Sequence, residues 1–295
     1  MANSGQSFRE FEQAGWENPG VVTGYHEHLS SVTTQSTQAL LDAAGIGDRS
    51  RVLDVATGAG YVASAAAQRG AEPIGVDFSA AQVRMARAKY PTVRFEQADA
   101  EALPFEADTF DAVVNGFGMC HLSDPDLALR EAFRVLKRGG RVAFSVWAAP
   151  ELAVGIGAVY AAVRAHGSMD VGLPVGPNFF LFSDPEQSMK ALRSAGFASP
   201  EVRQISQVLR MATPEKLFEV IAEGTVRAGA MLSAQSPPAI EAIRAALRET
   251  VAAYKLGEYF EVRCLPWSRQ RLSHDAGAPL APRPVSATIV GGAHL

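Results

Sequence analysis

The sequence predicts an α/β protein built on an open, mainly parallel sheet with helices on both faces. Three observations carry that expectation. Short apolar runs alternate with helical stretches between residues 51 and 147, the inner runs are almost wholly apolar, and a glycine-rich turn follows the first of them. Strands that alternate with helices at this spacing are joined by right-handed crossovers and so lie parallel in one sheet. Residues 52–55 and 112–114 contain a single polar side chain, Asp54, as befits strands covered on both faces.

The elements follow in order. Residues 1–20 are polar and mixed, with Phe8, Phe11 and Trp16 as scattered anchors. Leu29, Val32, Ala39, Leu40 and Ala43 recur at roughly helical spacing, which predicts a helix over 29–44 closed by Gly45 and Gly47. A strand over 51–56 leads through the glycine turn into an alanine-rich helix over 61–68, ended by Gly70. A second strand over 72–77 is followed by Ser79, which caps a helix running to Lys89, where Pro91 forbids continuation. The third strand is 93–97, the fourth 110–115, and a helix over 124–136 precedes a fifth strand, 141–147, after Gly139-Gly140.

Beyond Trp147 the regularity weakens. Leu152, Ile156, Val159, Tyr160 and Val163 form one helical stripe, and 167–178 is a Gly/Pro-rich loop. Ser183 caps a helix over 185–195. Residues 201–210 alternate as a strand does, 214–229 and 237–254 read as helices, and 259–265 as a last strand. Residues 273–295, rich in Ala, Gly and Pro without a period, read as a disordered tail. The domains expected are an N-terminal helical cap (1–47), the α/β core (48–150), a segment that covers the substrate and completes the sheet (151–272), and the tail.

Composition narrows the function. The 295 residues carry a formal charge of −4, without the basic surplus of a nucleic-acid binder. Two cysteines, Cys120 and Cys264, are too few for a disulfide framework or a thiolate zinc site, and read as free thiols in a reducing compartment. The N-terminus lacks a basic stretch followed by an apolar run, and the longest uncharged apolar stretch, 152–163, is too short to span a bilayer. A cytoplasmic protein without a membrane span follows.

The most informative segment is Val52-Leu53-Asp54-Val55-Ala56-Thr57-Gly58-Ala59-Gly60-Tyr61. A buried strand running into Gly-x-Gly and then a helix brings backbone N–H groups against a ligand, and a β-carbon would block that approach. Asp77 ends the next strand, where a carboxylate accepts from both hydroxyls of an adenosine ribose. Alone, this is ambiguous, because Gly58-Ala59-Gly60-Tyr61-Val62-Ala63 also satisfies the dinucleotide pattern G-x-G-x-x-A. Three features weigh against a nicotinamide enzyme: Asp54 within the strand, Asp99 after the third strand, and the run Phe110-Asp111-Ala112-Val113-Val114-Asn115.

Together with Arg134-Val135-Leu136-Lys137-Arg138-Gly139-Gly140, these segments make residues 48–147 resemble the class I S-adenosylmethionine-dependent methyltransferases, in the small-molecule branch of the ubiquinone/menaquinone C-methyltransferases. The resemblance implies a Rossmann-like fold with a mainly parallel seven-stranded sheet, a largely helical C-terminal insertion, and S-adenosyl-L-methionine as cofactor. It implies that Gly58 and Gly60 pass under the methionine portion, with backbone contacts from Ala56 and Thr57. Asp54 holds the loop or, through water, the methionine amino group. Asp77 binds the ribose, Phe78 packs on the adenine, Asp99 and the Ala100 N–H face its exocyclic amine edge, and Asn115 and Gly116 contact the methionine end with backbone carbonyls. This chain has Ala56 where the family more often has glycine.

Methyl transfer is an in-line displacement at an already activated carbon, so alignment and exclusion of water matter most, and a base is needed only when the acceptor sheds a proton. His121, after the fourth strand, is the candidate base. Tyr25, His26, Phe117, Trp147, Phe179 and Phe180 are candidates for the acceptor pocket, and no metal site is expected. The expected partner is a small organic acceptor. Methylation of a macromolecule, a non-methylating cofactor binder and, last, a nicotinamide-dependent oxidoreductase are the alternatives. Asn115-Gly116-Phe117-Gly118 stands where a base-flipping methyltransferase carries its Asn/Asp-Pro-Pro-Tyr/Phe motif.

Overall fold

In the computed structural model the described residues are 7–263 and 286–293. Helices α1 (Phe8–Glu17), α2 (Pro19–Gly24), α3 (Ser30–Thr33) and α4 (Thr37–Ala43) form the N-terminal cap, with a π-helical turn at Tyr25–Leu29 and a 3₁₀ turn at Thr34–Ser36. The helix expected over 29–44 therefore changes its hydrogen-bond pattern along its length while its backbone stays right-handed helical. Ser30, Thr33, Thr34 and Ser36 each donate a hydroxyl to a carbonyl three or four residues back, competing with the helical N–H groups. Helix α1 was not anticipated. Its capping box joins the Glu10 N–H to the Ser7 hydroxyl and the Ser7 N–H to the Glu10 carboxylate, at 3.3 and 2.8 Å.

The core then alternates as expected: β1 (Arg51–Val55), α5 (Tyr61–Gln68), β2 (Glu72–Asp77), α6 (Ala80–Lys89), β3 (Arg94–Gln97), β4 (Phe110–Gly116), α7 (Pro125–Val135) and β5 (Leu136–Trp147). Ser79 caps α6 through the Gln82 N–H, and Asp124 caps α7 through the Leu127 N–H. After β5 come α8 (Val154–His166), α9 (Pro185–Ser194), β6 (Ala198–Ser206), β7 (Val208–Met211), α10 (Lys216–Gly224), α11 (Arg227–Ser233), α12 (Pro237–Ala252), β8 (Lys255–Leu256), β9 (Tyr259–Arg263) and β10 (Ser286–Ala293).

The main sheet has seven strands in the order β3-β2-β1-β4-β5-β10-β6, all paired in parallel. Strand side chains alternate between its two cores. Leu53, Val55, Val113 and Phe144 meet α7 and α9, whereas Val52, Ala112, Val114 and Ala143 meet α4 and α5. A third core, built on α8, α10, α11 and α12, takes in Phe117 and Trp147 from the strand ends.

Asp184 rather than Ser183 caps α9, accepting from the Glu186 N–H, and the helix expected over 214–229 is two, α10 and α11. Three further expectations change here. The strand read at 201–210 is two strands in different sheets, because the chain breaks at Gln207, a wholly buried side chain that donates to the Val32 carbonyl at 2.8 Å. Strand β9 pairs antiparallel with β7 and β8 in a separate three-stranded sheet rather than closing the main one. The closing strand is β10, within the segment read as a disordered tail; its backbone pairs with β5 on one side and β6 on the other. The Thr288-Ile289-Val290 run that favours a strand is diluted by the surrounding Ala, Gly and Pro. Residues 273–285, 294–295 and Cys264 lie outside the described residues. Among the described residues no helix is long and apolar enough to cross a membrane.

Candidate functional site

Strand order reverses between β1 and β4, and open α/β sheets bind ligands at the carboxyl ends of the strands flanking such a switch. A cavity of about 1070 Å³ opens there. Its floor is the turn after β1. Ala56 (φ 53°) and, after β4, Phe117 (φ 60°) are non-glycine residues in left-handed conformation. Each costs on the order of 1 kcal/mol, strain that the neighbouring strands hold in place. Gly60 is left-handed too (φ +82°), and a β-carbon on it would lie 2.5 Å from Cζ of Phe95.

The carboxylates are the site's chemistry. Asp54 is wholly buried; its Oδ2 accepts from the Thr57 hydroxyl at 2.5 Å and the Ala63 N–H at 2.9 Å, while Oδ1 has no partner among the described residues. Burial pushes it up to about 7 despite those two bonds, with the charge of Asp77 adding to the shift. Asp77 accepts from the Gly58 and Ser79 N–H groups, both at 2.9 Å, and burial pushes it up to about 6. Asp99 accepts from the Glu101 N–H at 2.9 Å, and Arg9 of α1 pairs with both Asp99 and Glu101.

Helix α1 closes the cavity from the other side with Arg9 and Trp16, and buries Glu12 against His121, whose Nδ1 is 2.9 Å from Glu12 Oε2. A second, smaller space of about 500 Å³ adjoins the first, lined by Leu29, Trp147, Ile156, Tyr160, Phe179 and Ile221, with Arg227 among its few polar groups. Trp16, Tyr25 and His121 line both.

Residues 53–144 match the methyltransferase domain family. A demethylmenaquinone methyltransferase of Clavibacter sepedonicus is 33% identical over 184 residues, which cover 58% of this chain and 73% of the relative. The chain belongs to the class I S-adenosylmethionine-dependent methyltransferases. A demethylmenaquinone methyltransferase of Renibacterium salmoninarum is 35% identical over 118 residues; the match covers 40% of this chain and spans half the length of that relative. The phosphoethanolamine N-methyltransferase 2 of Haemonchus contortus, solved with S-adenosylhomocysteine, shares the fold at a TM-score of 0.52 and 20% identity, covering 84% of this chain and 57% of that one.

The cofactor of these methyltransferases is S-adenosylmethionine, and the site fits it. Asp54 Oδ1 is a buried acceptor lacking a donor among the described residues, which a methionine ammonium would supply. Above Gly58 (φ +54°) a β-carbon would meet nothing closer than Gln82 Oε1 at 3.9 Å, so the space there is open to a ligand. Of the residues assigned to the cofactor from sequence, Asp54, Ala56, Thr57, Gly58, Asp77, Phe78, Asp99, Ala100 and Gly116 line the large cavity. Gly60 and Asn115 do not. Gly60 caps α5 behind the wall, and the Asn115 side chain links the strand ends, donating to the Val55 carbonyl and accepting from the Gly118 N–H.

Of the acceptor-pocket candidates, Tyr25 lines both spaces, Phe117 the large one, and Trp147 and Phe179 the small one. His26 stands behind the wall, its ring nitrogens 3.2 Å from the Tyr61 hydroxyl and 3.1 Å from Gln82 Oε1, and burial lowers its pKa. Phe180 lines neither space and packs on Phe179 and Tyr160. Sequence reasoning missed Arg9, Glu12, Tyr160 and Arg227. For the first two a signal existed, the Ser7–Glu10 capping box. Tyr160 was seen only as part of the apolar stripe of α8, and no local pattern marks Arg227 on α11.

Proposed function

We propose that the protein transfers a methyl group from S-adenosylmethionine to a small, flat, largely apolar acceptor. The observation that carries this reading is the junction of the two spaces: an acceptor in the aromatic space would meet the cofactor space at Trp16, Tyr25 and His121. The bound cofactor supplies a methyl group already activated by its sulfonium. The chain's own residues hold and align. Asp54 receives the ammonium, Ala56, Thr57, Gly58 and Gly116 lie along the methionine end, Asp77 binds the ribose hydroxyls, and Phe78, Asp99 and Ala100 border the adenine. Trp16 and Tyr25 exclude water between the two spaces.

The relatives' name supports a quinol of the demethylmenaquinone kind as acceptor, and the aromatic lining of the second space suits a fused flat ring. Incubation with S-[methyl-¹⁴C]adenosylmethionine and 1,4-dihydroxynaphthalene, a soluble stand-in for that ring, tests the reading. Label recovered in the organic phase supports it. Absence of transfer to this and to a panel of small phenols, amines and acids contradicts it.

A further inference from the structure

Glu12 is a wholly buried acid whose presence the binding of cofactor and acceptor leaves unexplained. Its Oε2 engages Nδ1 of His121, and its Oε1 has no hydrogen-bond partner among the described residues. A carboxylate placed so is costly unless it faces a cation or a donor. Trp16 and Phe179 hold the imidazole edge-on, at ring-centroid distances of 5.1 and 6.1 Å. Nδ1 is taken by Glu12, the Cys120 thiol also bonds to the ring, and the ring lines both spaces.

We infer that Glu12 is a positioning residue for His121: by accepting the Nδ1 proton it turns the Nε2 lone pair to the junction, where it takes a proton from an acceptor hydroxyl. The inference rests on the methyl-transfer reading and deepens it. The acceptor O–H bond breaks, its proton goes to Nε2, and the electron pair stays on the acceptor as the nucleophile. The proton then leaves His121 for solvent, one for each methyl group moved. Acceptors that must lose a proton, such as phenols, enols and quinols, gain from this device, whereas neutral amines do not need it.

The titratable groups around the pair are Cys120 beside it, Asp77 at the end of β2, Tyr160 on α8 and Arg227 on α11. Burial opposes charge on the His121 ring, but Cys120 and Glu12 outweigh it, so His121 titrates well above the ordinary imidazole range. The ring is therefore a cation at low and neutral pH and becomes a base as pH rises through that raised value.

The test is two-dimensional NMR of ¹⁵N-histidine-labelled protein saturated with S-adenosylhomocysteine, titrated from neutral to alkaline pH and assigned with His121→Asn. The neutral His121 should carry its proton on Nδ1, and Glu12→Gln should lower its titration by about one pH unit or more, the scale of a lost contact charge. Glu12→Asp, which keeps the charge, should restore most of the shift and guards against a Gln variant that fails to fold. A proton on Nε2, or a titration indifferent to residue 12, overturns the inference. If the wild-type protein binds no S-adenosylhomocysteine, the methyl-transfer reading falls and the inference with it. An unaltered histidine in cofactor-bound protein removes the inference alone.

Discussion

The two walls of the cofactor cavity are made differently. The wall from β1, β2 and β4 is main chain and short carboxylates: Ala56, Thr57 and Gly58 in a strained turn, Asp54 and Asp77 at strand ends. The opposite wall, from α1, is long side chains reaching inward: Arg9, Trp16 and, behind them, Glu12. The first wall is dictated locally, because a strand that must turn sharply and bring its N–H groups to a ligand needs glycine and a fixed spacing. The second is dictated by tertiary contact, so its residues are those a surface helix would also carry. On the proposed reading, cofactor recognition is invested in the sheet edge and closure in α1.

That contrast is open to attack by substitution. Trp16→Ala should have the largest effect, removing a nearly buried indole that packs edge-on against both Tyr25 and His121. A loss of about 3 kcal/mol in unfolding free energy is expected, the scale of a large-to-small core change. Denaturant titration checks it, and a change below about 1 kcal/mol would mean that α1 is loosely seated. Asp77→Ala should weaken S-adenosylhomocysteine binding by about 2 kcal/mol, the worth of charge-assisted hydrogen bonds, as read by calorimetry. Unchanged affinity would put the ribose elsewhere and remove the sheet edge's share of recognition.

The smallest effect is a gain. Ala56 sits at φ 53°, where glycine fits without strain, so Ala56→Gly should stabilise the protein by about 1 kcal/mol and leave cofactor affinity intact. Thermal melts would show it. A destabilised variant would mean that the Ala56 methyl group packs better than its backbone suffers; a β-carbon on Gly118 would approach Ala56 Cβ to 2.6 Å, so the two strand ends do lie close.

The same contrast explains what was legible in the sequence. The bounds of α5, β2 and α6 and the cap Ser79 follow from turn chemistry and periodicity, which act over a few residues. Helix α1 was marked by its Ser7–Glu10 capping box, but nothing local shows that Glu12, buried between Phe8 and Trp16, meets His121. Strand β10 was hidden because its reason to exist is the pair of strands it joins, more than 75 residues earlier in the chain. The Asn115 side chain ties β4 to the end of β1, a role visible only once both strands are in place, while the contact expected of it was through its backbone carbonyl.

The central claim is that the pocket at the β1–β4 switch takes a cationic amine onto Asp54. Without ligand, burial raises Asp54 from 3.8 to about 7, so the group binds more protons folded than unfolded, and its contribution to stability falls as pH rises from about 4 to about 7. A bound ammonium requires the ionised carboxylate. S-adenosylhomocysteine affinity should therefore rise with pH up to about 7 and then level off, with proton release on binding below that value. Calorimetry in buffers of different ionisation enthalpy measures both quantities. Micromolar binding that strengthens toward neutrality with proton release, and no heat with NADH, is the predicted result; pH-independent affinity, or binding of NADH in its place, would contradict it.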